Sequence, residues 1–135
     1  MIEKQEKFDS EKYRRWIASL PCVITGARDV QCAHIRMGSD AGLGRKPADF
    51  RTLPLSCAQH ARQHHIGELK FWYPFGGYET AAVLARELYE ARYDTPRALE
   101  LIAAYRGRWV GRGPGAYRHK FIDQKGDGNG ENSTA

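Results

Sequence analysis

Four of the five histidines lie in one part of the chain, at positions 34, 60, 64 and 65. His60 and His64 are four residues apart in a stretch with helical character, so both imidazoles leave the same face one turn apart. Two neutral imidazoles at that spacing can hold one divalent metal. His34 comes from a separate segment further upstream. The pattern predicts a metal site with a general base beside it, in a fold that brings these two segments together.

The alternative interpretation is a set of solvated histidines on an exposed helix. The surrounding residues favour the metal site, because residues 22–65 also carry Asp49, Arg36, Lys46 and all three cysteines. Carboxylates and thiolates are metal ligands, and cationic side chains pair with phosphate.

Composition restricts the class of protein. With 135 residues and 41% hydrophobic residues, the chain can form one modest core. No stretch approaches the ~20 apolar residues of a membrane span, and the charged N-terminus lacks the apolar segment of an export signal. Three cysteines, at positions 22, 32 and 57, cannot all pair in disulfides, which favours a reducing compartment. We therefore expect a cytoplasmic protein with no membrane partner.

The positive charge is concentrated near the C-terminus. Residues 101 to 122 contain no acid, whereas arginines and a lysine are interleaved there with Tyr105, Trp109 and Tyr117: Arg106, Arg108, Arg112, Arg118 and Lys120. Guanidinium groups pair with phosphates and aromatic rings stack on bases, so a basic arm over residues 106–122 is a candidate nucleic-acid interface. The alternative is a loosely ordered arm whose aromatic rings pack back onto the core.

Local patterns predict the elements that hold the histidines. Residues 9–20 form a helix capped by Asp9 or Ser10, with one apolar face. Strands at 22–24 and 30–35 form a hairpin around the turn TGARD. Residues 37–48 form a long exposed loop rich in glycine. Residues 50–55 are extended, and Pro54 keeps them from forming a central strand.

Three helices and a tail complete the prediction. The first begins near Cys57 and runs through His64, with an interruption at Gly67. An amphipathic helix covers residues 79–93, and Thr95 caps a last helix that extends to about Tyr105. We therefore expect one domain over residues 1–122, with its core at about 20–72 and C-terminal helices at 79–105. The Gly- and Asn-rich tail, residues 123–135, is predicted to be disordered.

Four sequence blocks, in this order, resemble a known family. The stretches WIASLPCVITG, CAHIRMG, GRKPADFRTLPL and QHARQHHIGELKFW are similar to motifs of phage and prophage HNH-like proteins. The resemblance covers roughly residues 13–90. It implies an α+β fold with a small ββα-metal (HNH, treble-clef-like) core, preceded by a helix and followed by two helices.

The resemblance also implies a role for each matching residue. His34, in AHIR, matches the general base of HNH nucleases. Asp49 falls at the central position of the motif, as a metal ligand or as the group that orients His34. His60 and His64 match the metal ligands, whereas His65 is an extra neighbour.

Two departures from the family pattern leave alternatives open. At the positions of the family's zinc knuckle the chain has Cys22, Thr25, Ser56 and Gln59, and three of these are poor zinc ligands. We therefore expect no structural zinc. The alternative is a zinc site rebuilt from Cys22, Cys32, Cys57 and His60.

The second departure is Ala33, which stands directly before His34 where many family members have a metal ligand. The metal must then be completed by Asp49, by His34 itself, or by water and the substrate phosphate. If His34 were a ligand, it could not also act as the free base.

Together these features predict a metal-dependent DNA endonuclease of HNH type, of phage or prophage origin. One divalent metal, Zn²⁺, Mg²⁺ or Mn²⁺, would be the cofactor, and DNA the partner. The predicted DNA-contacting residues are Arg36, Lys46, Arg106, Arg108, Trp109 and Arg112. The alternative function is a non-catalytic, metal-stabilised module that binds nucleic acid.

Overall fold

The computed structural model describes residues 10–38 and 48–110. In this part of the chain the fold is α+β, with one two-stranded antiparallel sheet and helices packed around it. The predicted loop at 37–48, except for its ends, lies outside the described residues. So do Lys46, Arg112, most of the predicted basic arm and the predicted disordered tail.

The first helix, α1 (Glu11–Ala18), begins where the sequence predicts a cap. The Ser10 hydroxyl accepts a hydrogen bond from the Tyr13 backbone N–H over 3.1 Å and so satisfies one donor of the first turn. Tyr13, Ile17 and Leu20 are buried on one side of this segment, as its apolar spacing predicts. This face packs on the sheet.

The sheet joins β1 (Val30–His34) to β2 (Thr52–Ser56), with Cys32 opposite Pro54 and His34 opposite Thr52. The predicted hairpin between residues 22–24 and 30–35 is therefore wrong. Residues 23–25 form a turn, and only one backbone bond, from Val23 N–H to the Pro54 carbonyl (3.0 Å), links this segment to β2. A sheet of two strands has only edge strands, so the prediction that Pro54 keeps its segment from forming a central strand is confirmed.

Helix α2 (Cys57–Ile66) follows β2 without a loop. The Ser56 hydroxyl caps it by accepting from the Gln59 backbone N–H over 3.2 Å, and Gly67 ends it with a positive φ of 90°. A short helix α3 (Glu68–Trp72) and a 3₁₀ turn (Tyr73–Phe75) come next. The chain order β1, β2, α2 therefore places the histidine pair on the helix that directly follows the second strand.

Two longer helices, α4 (Gly77–Glu90) and α5 (Thr95–Trp109), complete the described part. The cap of α5 is Asp94, whose side chain accepts from the Arg97 N–H over 3.1 Å, and not the predicted Thr95. Helix α5 also extends beyond Tyr105, so the first residues of the predicted arm are its last turn. No helix within residues 10–38 and 48–110 is long and apolar enough to cross a membrane.

The core lies between the sheet and the helices. Its largest fully buried side chains include Trp72, Tyr13, Phe71, Ile17, Leu53, Leu55 and Leu88. All five residues of β2 are buried, and three helices, α1, α2 and α4, contact this strand. Trp72 donates its indole N–H to the buried Gln63 side chain over 2.8 Å, which fixes α2 against α3. The histidine-bearing helix α2 is therefore anchored to α3 by a buried hydrogen bond.

Candidate active site

The histidine pair on α2 is arranged as its spacing predicts. The Nε2 atoms of His60 and His64 lie 3.2 Å apart, with the ring centroids separated by 4.8 Å. Two imidazole nitrogens bound tetrahedrally to one zinc, each about 2.05 Å away, are about 3.3 Å apart. The pair therefore fits a shared divalent metal, with His65 exposed at the next position of the helix.

Gln31 on β1 determines which nitrogen of His60 faces His64. Its Oε1 atom is 2.8 Å from His60 Nδ1, and because an amide oxygen only accepts, Nδ1 must donate. Neutral His60 then carries its lone pair on Nε2, the atom that faces His64. Hydrogen bonds of this kind orient metal-bound histidines and fix their tautomer. No sequence pattern indicates a role for Gln31, since only the fold brings it to His60.

The environment of His60 also keeps its imidazole neutral. Burial lowers the pKa of His60 below its usual value, and positive charge on His64 and on His34 would lower it further. Because a metal competes with a proton for Nε2, a lowered pKa favours metal binding near neutral pH.

His34, at the end of β1, is held by a buried carboxylate. Its Nε2 atom lies 2.8 Å from Oδ1 of Asp49, a residue with no exposed surface. The second oxygen of Asp49, Oδ2, accepts from the Ser10 backbone N–H over 2.7 Å and from Arg14 over 2.5 Å. Both carboxylate oxygens are thus engaged by protein donors. Of the two roles that sequence analysis left open for Asp49, this geometry favours orienting His34.

The 3₁₀ turn Asp49–Arg51 fixes the position of that carboxylate. The Thr52 hydroxyl donates to the Asp49 carbonyl over 2.6 Å, and the Arg51 N–H donates to the Ala48 carbonyl over 3.0 Å. Because Thr52 pairs with His34 across the sheet, the turn that precedes it carries Asp49 to the histidine. A pairing shift of one residue would separate the two side chains.

Two charged side chains hold the chain just after His34. The Glu68 carboxylate accepts from the backbone N–H groups of Arg36 and Met37, at 2.8 and 2.9 Å, while Arg51 donates to the carbonyls of Ile35 and Met37. These contacts hold residues 35–37 in place. Glu68 belongs to the GE pair of the last sequence block. That pair is the sequence feature from which a role for Glu68 could have been predicted. The side chain of Arg36 is exposed.

The cysteines lie in different environments. Cys22 is buried and its sulfur accepts from the Ile24 and Thr25 backbone N–H groups, each at 3.4 Å. Burial raises the pKa of the Cys22 thiol, but hydrogen bonds from Thr25, Ser56 and Ile24 outweigh it and lower the pKa overall. Three of the positions aligned with the zinc knuckle, 22, 25 and 56, are thus joined by hydrogen bonds. Cys32 is half-buried on β1, and Cys57 is exposed on α2.

Within residues 10–38 and 48–110, no group of three or more His, Cys, Asp or Glu side chains is arranged to hold a metal ion. The histidine pair is therefore a two-ligand arrangement in this part of the chain. The zinc site proposed from Cys22, Cys32, Cys57 and His60 stays a hypothesis, which variants of the cysteines test directly.

The predicted nucleic-acid residues on α5 are only partly exposed. The guanidinium of Arg106 packs over Gly26, where an added Cβ would lie 3.1 Å from it, and Trp109 packs against Gly76. Tyr105 is buried and donates its hydroxyl to the Phe75 carbonyl over 2.8 Å. Of these residues, only Arg108 is exposed, stacked near the Trp109 ring. For this turn, the alternative that the aromatic rings pack onto the core is correct.

Comparison with known proteins places the candidate site inside a defined family. The chain belongs to the family described as "Protein of unknown function (DUF968)", whose profile matches residues 1–87. The "Uncharacterized protein YdfU" of Escherichia coli (strain K12) is 29% identical over 75 residues, which is 56% of this chain and 21% of that protein. The chain thus spans about a fifth of this relative's length. No solved structure matches it. The family match includes every histidine of the site.

The histidine pair generates the first prediction. Replacing both His60 and His64 with alanine should abolish binding of one equivalent of Zn²⁺ or Mn²⁺, because the two facing nitrogens are removed. His65→Ala, on the same helix, should bind metal normally. Gln31→Leu should bind about 10- to 100-fold more weakly, since it loses only the group that orients His60. Elemental analysis and calorimetric titration measure these effects, and equal metal content in all variants would contradict the assignment.

The cysteines generate the second prediction. Cys22→Ala should lower the free energy of unfolding by about 1–3 kcal/mol, because buried backbone N–H groups lose their acceptor. Cys57→Ala, at an exposed position, should change it by less than about 0.5 kcal/mol. Neither variant should alter metal stoichiometry. Loss of one zinc equivalent in either variant, measured by elemental analysis beside chemical denaturation, would establish the cysteine-based site instead.

Proposed function

We propose that this chain is a metal-dependent DNA endonuclease of HNH type, whose ββα-metal core consists of β1, β2 and α2. One observation carries the proposal. A histidine oriented by a buried carboxylate ends the first strand, and two histidines with facing nitrogens lie on the helix that follows the second strand. Hydrolysis of a phosphodiester needs a base for water and a positive charge at the phosphate, and these two groups can supply both.

In this proposal His34 is the general base. Because Asp49 accepts from Nε2, neutral His34 carries its lone pair on Nδ1, and this nitrogen takes the proton of the attacking water. Asp49 then stabilises the imidazolium that forms, as a buried carboxylate does for other catalytic histidines. Imidazole suits the task because its pKa ordinarily lies near neutral pH.

His60 and His64 would hold one divalent metal, which when bound would neutralise charge on the scissile phosphate and on the leaving oxygen. Gln31 keeps His60 in the tautomer that can bind. Because Asp49 is engaged by Ser10, Arg14 and His34, water and phosphate oxygens would fill the remaining positions. Zn²⁺, Mg²⁺ and Mn²⁺ are the candidate metals, and no structural zinc is part of the proposal.

DNA is the proposed substrate because the chain is basic and the site is suited to phosphate. The net charge is +5, and α2 carries Arg62 and three histidines but no acid. Exposed Arg36, two residues after the proposed base, is a candidate phosphate contact, and Arg108 is a second. The resemblance to phage and prophage HNH-like proteins supports an origin of that kind and action in the cytoplasm of a bacterial host.

Cleavage of supercoiled plasmid tests the proposal. The wild-type protein should nick plasmid when Mg²⁺, Mn²⁺, Ni²⁺ or Zn²⁺ is supplied. His34→Ala should cut about 10²- to 10⁴-fold more slowly, since it lacks the general base, while keeping its metal and its affinity for DNA in a gel shift. The control His65→Ala should cut like the wild type.

Two other outcomes would contradict this account. If His34→Ala also lost its metal, His34 would be a ligand and not the base. The wild type could instead bind DNA tightly and retain its metal but fail to cut plasmid, duplex or branched DNA with any of these metals. The protein would then be a non-catalytic binding module. Alanine at position 33 and the loss of the zinc-knuckle cysteines are the features that favour this second function.

A further inference from the structure

Asp49 shares one of its oxygens between two donors from the same helix turn. The Ser10 N–H and the Arg14 guanidinium both donate to Oδ2, and the Arg14 backbone N–H donates to the Ser10 carbonyl over 3.0 Å. The start of α1 therefore presents both donors to the carboxylate in a single arrangement. Since a carboxylate is planar, fixing Oδ2 with two donors also fixes the direction in which Oδ1 faces.

Arg14 also supplies the charge that this carboxylate needs. A fully buried carboxylate is costly unless a cation and hydrogen bonds compensate for it. Asp49 has no exposed surface, whereas the Arg14 side chain remains 31% exposed and reaches the carboxylate from the protein surface. Without Arg14, Asp49 would face His34 with one fewer donor and no arginine beside it.

We propose that Arg14 is a positioning residue for His34 and acts through Asp49. By holding Oδ2, Arg14 keeps Oδ1 aimed at His34 Nε2, so that His34 stays in the Nε2–H tautomer with its lone pair on Nδ1. The chain of contacts runs from helix α1 through the 3₁₀ turn to the end of β1. Its catalytic consequence rests on the proposed nuclease function, but the effect on the His34 tautomer does not.

The closest structural control is Arg15, the next residue on the same helix. Arg15 pairs with Glu11 over 2.6 Å at the surface, so Arg15→Met also removes an arginine and an ion pair from α1. It leaves Asp49 untouched. Two changes at position 14 complete the set: Arg14→Met keeps the alkyl stem and removes the charge, and Arg14→Lys restores a charge with a different shape.

Nitrogen NMR of the imidazole rings gives a readout that is independent of cleavage. Signals of His34 are assigned by their absence from the spectrum of His34→Gln. The wild type, Arg15→Met and Arg14→Lys should show His34 protonated on Nε2, whereas Arg14→Met should show the averaged signals of exchanging tautomers. An unchanged His34 spectrum in folded Arg14→Met would overturn the inference. If Arg14→Met did not fold, Arg14→Gln would take its place in the same comparison.

Cleavage kinetics give the second readout. Arg14→Met should lower kcat about 10- to 100-fold with KM within about twofold of the wild-type value, because substrate binding does not involve Asp49. Arg14→Lys should recover most of that loss, and Arg15→Met should match the wild type. A change in KM alone would identify Arg14 as a DNA contact and overturn the inference. If the wild type itself did not cleave, the nuclease proposal would fail while the NMR comparison still decided the role of Arg14.

Discussion

The buried carboxylate of Asp49 is the interaction on which the arrangement of the site depends. It joins three separate segments, because Asp49 lies in the 3₁₀ turn before β2 and its donors come from the start of α1, Ser10 and Arg14, and from His34 at the end of β1. Burying a carboxylate is unfavourable unless donors surround it, so the folded state is stable only when these segments meet in the observed register. The same constraint that fixes the fold thereby fixes the orientation of His34.

Helix positions were predictable where a local signal determines them. Ser10 and Ser56 cap their helices with hydroxyl groups, and the Cys57–Ile66 helix ends at Gly67, because these effects act over a few residues. Strand pairing is different. The segment at 22–24 has strand-like composition, but the N–H groups of its turn donate to the Cys22 sulfur, and β1 pairs with β2 across a long connection. No local pattern discloses a pairing of that range.

The site, like the fold, could be predicted from the sequence only where residues close in the chain determine it. The spacing of His60 and His64 determines their geometry, since one helical turn brings their rings together. Gln31 and Arg14 could not be found in this way. Their partners lie 29 and 35 residues away in the sequence, so their roles exist only in the folded chain. Residues at the end of α5 behave in a similar way: the basic pattern suggested an exposed arm, while Arg106 packs against Gly26 and Trp109 against Gly76.

Anomalous diffraction from crystals grown with Mn²⁺ or Zn²⁺ and a short DNA duplex tests the central claim most directly. The account predicts one anomalous peak about 2.0–2.2 Å from the Nε2 atoms of both His60 and His64, with a phosphate oxygen in the same coordination shell. His34 should remain bonded to Asp49 beside that phosphate. A peak on the sulfurs of Cys22 and Cys57, or a metal that binds elsewhere while the two histidines keep their mutual hydrogen bond, would contradict it.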